Sequence, residues 1–166
     1  MFAGTTLTVG ISDCIVSSNA GASLATHALG SCIAVTVFDP VAKVSGLLHF
    51  MLPESSTDPE KAKENPFMFA DTGIPNLFWK AYAAGAVKQR LQVSVIGGAQ
   101  ILQAHDSLQI GKRNHLATRK ILWRAGVMVH HEDVGGQLPR TVHMDVGTGR
   151  IVISYAGQER QLVGSI

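Results

Sequence analysis

Residues 29–40 read LGSCIAVTVFDP, and residues 44–53 read VSGLLHFMLP. Both stretches contain a run of apolar, partly β-branched residues that ends at a proline, which predicts two strands joined by a short turn. Cys32 opens the first run, and His49 lies near the end of the second. Because neighbouring antiparallel strands bring the start of one beside the end of the other, we expect the thiol and the imidazole to meet at one edge of a sheet.

Two helices are predicted downstream of this hairpin. Apolar residues at three- and four-residue spacing predict a first helix, which Asp71 or Thr72 caps and Arg90 ends. A second helix is predicted over residues 113–124 and stops at Gly126. Its predicted core-facing residues are Leu116, Ile121 and Leu122.

Further strands complete the predicted fold, and the polar residues 53–66 predict a mobile surface loop. The order of strands, helix, strand, helix and strands predicts an α+β fold with layered, β-sandwich-like mixed sheets flanked by helices. No repeat or linker interrupts the chain, so we expect a single domain over residues 1–166. The additional predicted strands cover residues 7–16, 91–96, 127–130, 141–146 and 151–155, with a short strand or extended segment over residues 23–29.

The composition narrows the class of protein. The 166 residues are 46% hydrophobic and 16% charged, and the formal net charge is +2. So small a net charge, without a basic stripe interleaved with aromatics, indicates no nucleic-acid partner. The first residues lack the pattern of a signal peptide, and no apolar run approaches the roughly 20 residues that cross a bilayer. We therefore expect a cytoplasmic protein that does not insert into a membrane.

The cysteines and histidines do not suggest a metal centre or a cofactor. Cys14 and Cys32 are far apart in sequence and form no CxxC pair. His130 and His131 are adjacent, and adjacent residues on a strand point to opposite faces. Two cysteines in an unexported chain are expected to be free thiols.

Cys32 and His49 suggest nucleophilic chemistry. A thiol becomes a nucleophile when an imidazole, a dipole or backbone N–H groups favour its thiolate. We expect the N–H groups of the turn at Gly30 and Ser31 to lower the pKa of the Cys32 thiol and to form an oxyanion hole. The residues alone leave a second interpretation open, in which Cys32 is a buried thiol and His49 a core histidine.

The order and spacing of several motifs resemble the CheD family of chemoreceptor glutamine deamidases. Any one of these motifs is weak, but together they span roughly residues 24 to 152. Besides the hairpin of residues 29–53, the matching segments are residues 69–71, 97–99, 110–111 with Asn114, 133–136 with Arg140, and 148–150.

This resemblance implies hydrolysis of glutamine side-chain amides on methyl-accepting chemotaxis receptors. It assigns Cys32 as the nucleophile, His49 as the base and Thr26 as the third member of the site. Asp133 and Arg140 are expected either to pair or to shape the substrate cleft. The resemblance also implies a fold similar to the catalytic domain of cytotoxic necrotizing factor toxins.

Other functions stay open beside this one. The same thioester chemistry would hydrolyse methylated glutamate esters. The family resemblance also suggests a regulatory module that binds a CheC-type phosphatase acting on phosphorylated CheY, with deamidation secondary. A thiol redox sensor is a further alternative, and it predicts a disulfide between Cys14 and Cys32.

Overall fold

A computed structural model describes residues 2, 4–101 and 108–165. Within these residues the chain forms ten strands and three α-helices, with short 3₁₀ turns between some of them. The helices are α1 (Pro59–Glu64), α2 (Ala70–Ala83) and α3 (Ile110–Arg124). The strands are β1 (Thr5–Thr8), β2 (Asp13–Ser17), β3 (Ala22–Leu29), β4 (Ile33–Asp39), β5 (Val44–Phe50), β6 (Gln92–Gly97), β7 (His131–Val134), β8 (Arg140–Asp145), β9 (Ile151–Tyr155) and β10 (Gln158–Val163).

The strands form two mixed five-stranded sheets. The order in the first sheet is β1-β3-β8-β9-β10, and the order in the second is β2-β5-β4-β6-β7. The β1–β3 and β6–β7 pairs are parallel, and the other neighbours are antiparallel. This architecture confirms the predicted α+β fold with layered mixed sheets.

Two apolar cores hold the layers together. One core lies between the sheets and contains residues such as Leu24, Leu47 and Met144. The other packs the opposite face of the second sheet against α2 and α3, through residues such as Leu48 and Leu77. Every residue of β4 and β5 is buried, because these strands are covered on both faces. The predicted hairpin is therefore the centre of the molecule.

The hairpin register places the two predicted catalytic residues on one face. β4 and β5 are antiparallel, with Ala34 opposite His49. Cys32 lies two residues before Ala34, and side chains two residues apart in an extended chain point to the same side. Cys32 packs against the core between the sheets, which is also the face that His49 presents to the first sheet. The expectation that these residues share one edge of the sheet agrees with this register.

The prediction of one strand over residues 7–16 is wrong. The chain turns at Ile11 and Ser12, where Ser12 has a φ of 57°, and continues as a strand of the other sheet. β1 pairs with β3, whereas β2 pairs with β5. Alternating apolar and polar residues continue through the turn, so their pattern did not reveal the change of sheet.

Residues 53–66 are not an irregular loop. They contain α1. Its N-cap is Asp58, which accepts a hydrogen bond of 3.1 Å from the Lys61 N–H, and Pro59 occupies the first helical position. An aspartate before a proline is a helix-start signal that the polar composition obscured. The next helix, α2, begins at Ala70 with Phe69 as its N-cap and ends before Arg90. The Asp71 carboxylate accepts hydrogen bonds from the N–H and hydroxyl of Ser55 instead of capping the helix.

Helix α3 begins earlier than predicted, and the face that it turns to the core is not the predicted one. Leu116 was expected to face the core, but it is 56% exposed, whereas Leu122 is buried as predicted. The buried face consists mostly of small and polar residues, so hydrophobic spacing misplaced the inner face. These buried residues are Gly111, Asn114, Thr118 and Leu122.

Two strands near the C-terminus also differ from the prediction. The strand expected over residues 127–130 lies instead at His131–Val134, parallel to β6. The chain adds β10 at the edge of the first sheet, which was not predicted. The residues of β10 are mainly polar and exposed, so they lack the apolar alternation typical of a half-buried strand.

Candidate active site

His49 is held from the opposite sheet. Its Nδ1 lies 2.7 Å from the hydroxyl oxygen of Thr26 on β3. The same hydroxyl lies 2.7 Å from the carbonyl oxygen of Val9, just after β1. Thr26 and His49 are both fully buried. The structure therefore brings together two of the three residues that the resemblance proposed, in direct contact.

These contacts decide the tautomer of the imidazole. A hydroxyl has one proton to donate, and a carbonyl oxygen only accepts. Thr26 must donate to Val9, so it accepts the proton of His49 Nδ1–H. The lone pair of the neutral ring is then on Nε2, which is buried and has no hydrogen-bond partner among the described residues. His49 is oriented as a base, with its unprotonated nitrogen directed away from Thr26.

Burial keeps this imidazole neutral. Desolvation lowers the pKa of His49 from 6.5 to about 4. At neutral pH the ring therefore carries one proton, on Nδ1. A neutral histidine with its lone pair on Nε2 is in the protonation state that a general base needs.

Cys32 is half-buried on the same face of the second sheet as His49. Desolvation raises the pKa of its thiol, and its own backbone N–H lowers that pKa only in part. The backbone therefore lowers the thiol pKa as expected, but desolvation outweighs this effect and the net pKa of Cys32 is raised in the resting protein. The pair rests as a neutral thiol and a neutral imidazole, so attack by sulfur requires that the proton be removed during the reaction.

The turn before Cys32 supplies fewer free donors than expected. Ala28 has a φ of 57°, and its carbonyl accepts a hydrogen bond of 2.9 Å from Gly30 N–H. That N–H is therefore not free to hold an oxyanion. Within the described residues, the N–H groups of Ser31 and Cys32 donate to no backbone carbonyl, and the Cys32 N–H interacts with its own sulfur, so these two are the candidate donors for an oxyanion.

A second loop fixes the position of the Cys32 backbone. Gly98 N–H donates to the Cys32 carbonyl at 2.8 Å, and Ala99 N–H donates to the Gly30 carbonyl at 2.8 Å. Gly97 has a φ of 113°, and a Cβ there would collide with the Cys32 carbonyl oxygen. A glycine is required at this position because the two backbones approach so closely.

Asn114 is a site residue to which the sequence analysis gave no role. Its side-chain NH₂ donates to the Ser31 carbonyl at 2.9 Å and to the Met51 carbonyl at 2.8 Å. One buried amide thus ties the turn of Cys32 to the chain just after His49. Asn114 lies in a segment that carries the family resemblance, but its role became visible only from these contacts.

The remaining predicted residues lie outside this centre. Arg140 and Asp133 form a nearly buried ion pair, with Nη2 and Oδ1 2.9 Å apart, which confirms that they pair. Arg160 also contacts Asp133. Cys14 is a buried free thiol whose pKa is raised to about 12 by burial. It belongs to the core on the helical side of the second sheet, whereas Cys32 packs on the other side, which does not favour a disulfide between them.

Residues 2, 4–101 and 108–165 lack both a metal-binding cluster and a membrane-spanning helix. No three side chains of His, Cys, Asp or Glu cluster there in a way that would hold a metal ion. In the same part of the chain, no helix combines the length and apolar character needed to cross a membrane.

Comparison with known proteins identifies relatives along most of the chain. Residues 51–155 match the family model described as CheD chemotactic sensory transduction. A Solibacter usitatus protein named probable chemoreceptor glutamine deamidase CheD is 46% identical over 157 residues, which are 95% of this chain and 93% of the relative. A Syntrophus aciditrophicus protein named probable chemoreceptor glutamine deamidase CheD 1 is 49% identical over 149 residues, 90% of this chain and 93% of the relative. A Pyrococcus abyssi protein, also named probable chemoreceptor glutamine deamidase CheD, is 39% identical over 86% of this chain and 87% of the relative.

The family-model match begins after the three candidate residues, at residue 51. The crystal structure of a Neisseria meningitidis protein of the DUF152 family model is similar to 80% of this chain. The similarity covers 63% of the Neisseria chain, with 12% sequence identity and a TM-score of 0.46. At that distance it supports no argument about fold or function. The likeness to cytotoxic necrotizing factor stays a prediction.

Proposed function

The chain belongs to the CheD family, and on this premise we propose that it hydrolyses glutamine side-chain amides on methyl-accepting chemoreceptors. The products are glutamate and ammonia, and the intermediate is a thioester on Cys32. One observation supports this chemistry above all others: the Thr26 hydroxyl accepts from His49 Nδ1–H, so the lone pair of Nε2 is free on the face that Cys32 shares.

In the first half-reaction, sulfur attacks the carboxamide carbon while the thiol proton passes to His49 Nε2. The carbonyl oxygen becomes an oxyanion, which the N–H groups of Ser31 and Cys32 stabilise. The C–N bond then breaks as the His49 imidazolium protonates the leaving nitrogen. Ammonia departs, and the acyl group stays on Cys32.

In the second half-reaction, neutral His49 takes a proton from water, and the resulting hydroxide attacks the thioester carbon. The new tetrahedral intermediate collapses, the C–S bond breaks, and the imidazolium returns its proton to sulfur. One amide and one water have become one carboxylic acid and one ammonia. Throughout both steps Thr26 holds the imidazole in the required tautomer, as the third residue does in catalytic triads.

The direct test measures ammonia released from the cytoplasmic fragment of a cognate receptor and identifies the converted glutamines by mass spectrometry. Wild-type protein is expected to release one ammonia per glutamine converted, and Cys32→Ala and His49→Ala are expected to lose this activity. Cys14→Ala serves as the matched cysteine control and should keep it. Normal turnover by Cys32→Ala would refute the proposed mechanism.

The same variants and receptor fragment distinguish deamidation from two related functions. Methanol release from a methylated fragment would reveal ester hydrolysis by the same thioester route. Binding to a CheC-type phosphatase stays a prediction. If docking were the main task, Cys32→Ala would still restore chemotactic behaviour to cells that lack the protein.

A further inference from the structure

The turn that carries Cys32 also connects the two sheets. β3 ends at Leu29 in the first sheet, and β4 begins at Ile33 in the second. Residues 30–32, the Cys32 turn, therefore lead the chain from one sheet to the other. Because the turn is anchored in a different sheet at each end, its path depends on how the two sheets are held together at this edge.

A nearly buried ion pair spans the same two sheets. Asp133 lies on β7 of the second sheet, and Arg140 is the first residue of β8 in the first sheet. Nε and Nη2 of Arg140 each lie 2.9 Å from Oδ1 of Asp133, and both side chains are only 10% exposed. Two donors of one planar guanidinium on one buried carboxylate fix both distance and orientation. The pair is thus a rigid link between the sheets.

On the side of the first sheet, Arg140 fixes the end of β3. It pairs with Leu29, the residue before the Cys32 turn, whereas Val142 pairs with Thr26. Two steps along β8 correspond to three along β3, so β3 contains a bulge of one extra residue. Within the bulge Ala28 has a φ of 57°, which is unfavourable for an alanine. The pairing with Arg140 ends this strained segment just before the turn.

On the side of the second sheet, the chain beside Asp133 fixes the other end of the turn. Val134 pairs with Gly97, and Gly97 pairs with Ile33, the first residue after the turn. Gly135 N–H also donates to the Gly97 carbonyl at 2.9 Å. The two members of the ion pair are therefore connected, through backbone ladders, to opposite ends of the turn.

We propose that Asp133 and Arg140 are positioning residues for Cys32, because their ion pair holds the two sheets at the spacing that sets the path of the Cys32 turn. The proposal rests on the proposed function, since it takes Cys32 as the nucleophile of the deamidase. The pair acts through the backbone ladders on either side of the turn. Arg160 adds a second, more exposed cation to Asp133.

The test replaces both members together, as Asp133→Asn, Arg140→Gln. This double variant removes both charges, so neither member of the pair is left buried opposite the other's missing charge. We expect kcat for ammonia release from the receptor fragment to fall about tenfold to hundredfold while KM changes less than about twofold, since a misplaced nucleophile slows the reaction more than it weakens binding. Normal kcat in the folded double variant would overturn the proposal.

A second buried ion pair supplies the matched control. Asp39 and Arg90 are 2.8 Å apart, and Asp39 ends β4 at the side opposite Cys32. Asp39→Asn, Arg90→Gln removes the same two charges from the same pair of residue types. Its kcat is expected to be normal below its Tm. An equal fall in kcat for this control would show a general loosening of the fold and overturn the positioning role.

Alkylation of Cys32 by iodoacetamide tests the position of the turn without any receptor. In Asp133→Asn, Arg140→Gln the displaced turn should expose the thiol, so we expect Cys32 to react at least about threefold faster than in wild type at pH 8. Cys14 should stay unmodified, which shows that the core is intact. A Cys32 rate equal to or below that of wild type would overturn the proposal.

The two readouts keep this proposal separate from the deamidase function. If wild type released no ammonia, the proposed function would fail, while the alkylation rates would still decide whether the pair positions Cys32. Arg140→Lys keeps the charge but loses the planar fork, and it serves if the double variant does not fold. For Arg140→Lys we expect faster Cys32 alkylation and a kcat about threefold to tenfold lower, and wild-type values of both would overturn the proposal.

Discussion

The hydroxyl of Thr26 lies 2.7 Å from His49 Nδ1, and the two residues come from different sheets. Thr26 also donates to the Val9 carbonyl, so it accepts from the imidazole. The orientation of the base therefore depends on how one sheet packs on the other. We therefore expect activity to require the hydroxyl at position 26, and not only a side chain of that size.

Thr26→Val removes the hydroxyl while keeping the volume. The His49 Nδ1–H and the Val9 carbonyl then lose their partner, and the imidazole is free to adopt the wrong tautomer. We expect kcat for ammonia release to fall about 10²-fold to 10⁴-fold, by analogy with the loss of the orienting residue in a catalytic triad. Thr26→Ser keeps the hydroxyl and should retain most of the activity. Equal activity of the Val and Ser variants would contradict the role given to the hydroxyl.

The two cysteines should differ sharply in reactivity. Cys32 is half-buried, whereas Cys14 is buried and its pKa is raised to about 12. Iodoacetamide is expected to alkylate Cys32 in the folded protein and to leave Cys14 unmodified, with loss of ammonia release in step with alkylation. Peptide mapping by mass spectrometry checks this. Modification of Cys14 at a similar rate would mean that the core around it opens readily.

His49 should make stability depend on pH in a defined window. Its pKa is about 4 in the folded protein and close to 6.5 when unfolded. Between these values the unfolded chain binds the proton and the folded one does not, so stability is full above pH 6.5 and falls as the pH drops toward 4. A shift of this size corresponds to a loss of about 3 kcal/mol.

Urea unfolding at several pH values measures this effect, with His49→Gln as the comparison. The burial of His143 lowers its pKa as well, so wild-type protein alone would mix the two histidines. The difference between wild type and His49→Gln isolates His49, and that difference is expected to shrink as the pH falls from 6.5 to 4. A difference that stays constant over this window would rule out a depressed pKa.

Asn114→Asp keeps the size of the side chain but should displace the Cys32 turn. The aspartate has no NH₂ to donate, and its carboxylate would face the carbonyls of Ser31 and Met51. We expect stability to fall by about 1–3 kcal/mol for the unsatisfied buried groups, and kcat to fall more than KM changes because the Cys32 turn shifts. Thr118→Val, one turn along on the same buried face, loses only a hydrogen bond within α3 and serves as the control. Normal kcat in Asn114→Asp would show that the bridge does not position Cys32.

Asp39 should matter for stability and not for catalysis. Its buried carboxylate contacts Arg90 at 2.8 Å and accepts the N–H groups of Val41, Ala42 and Val87. Burial raises the pKa of Asp39, but these partners outweigh it and hold the pKa well below the usual range. Asp39→Ala leaves Arg90 without this partner and is expected to cost about 3 kcal/mol. Below its lowered Tm, kcat should be normal, since Asp39 ends β4 at the side opposite Cys32.

Much of the central architecture was predictable because local sequence carries it. The runs around Cys32 and His49 are apolar on both faces, and only strands buried on both sides need such runs. The prediction failed at the turn between β1 and β2, in the polar, exposed elements α1 and β10, and where buried residues are polar or exposed ones apolar. Helix α3 is the clearest example, because Asn114 and Thr118 face inward for their hydrogen bonds while Leu116 faces solvent.

By itself the sequence determined the hairpin, the position of Cys32 at its start and of His49 at its end, and the likeness to a family of deamidases. Only the tertiary structure decided which nitrogen of His49 is free, which N–H groups near Cys32 remain available, and that Asn114 holds the turn. The reason is physical: strand formation follows from the spacing of apolar side chains along the chain. A proton's location follows from hydrogen bonds between residues such as Val9, Thr26 and His49, which meet only when the two sheets pack.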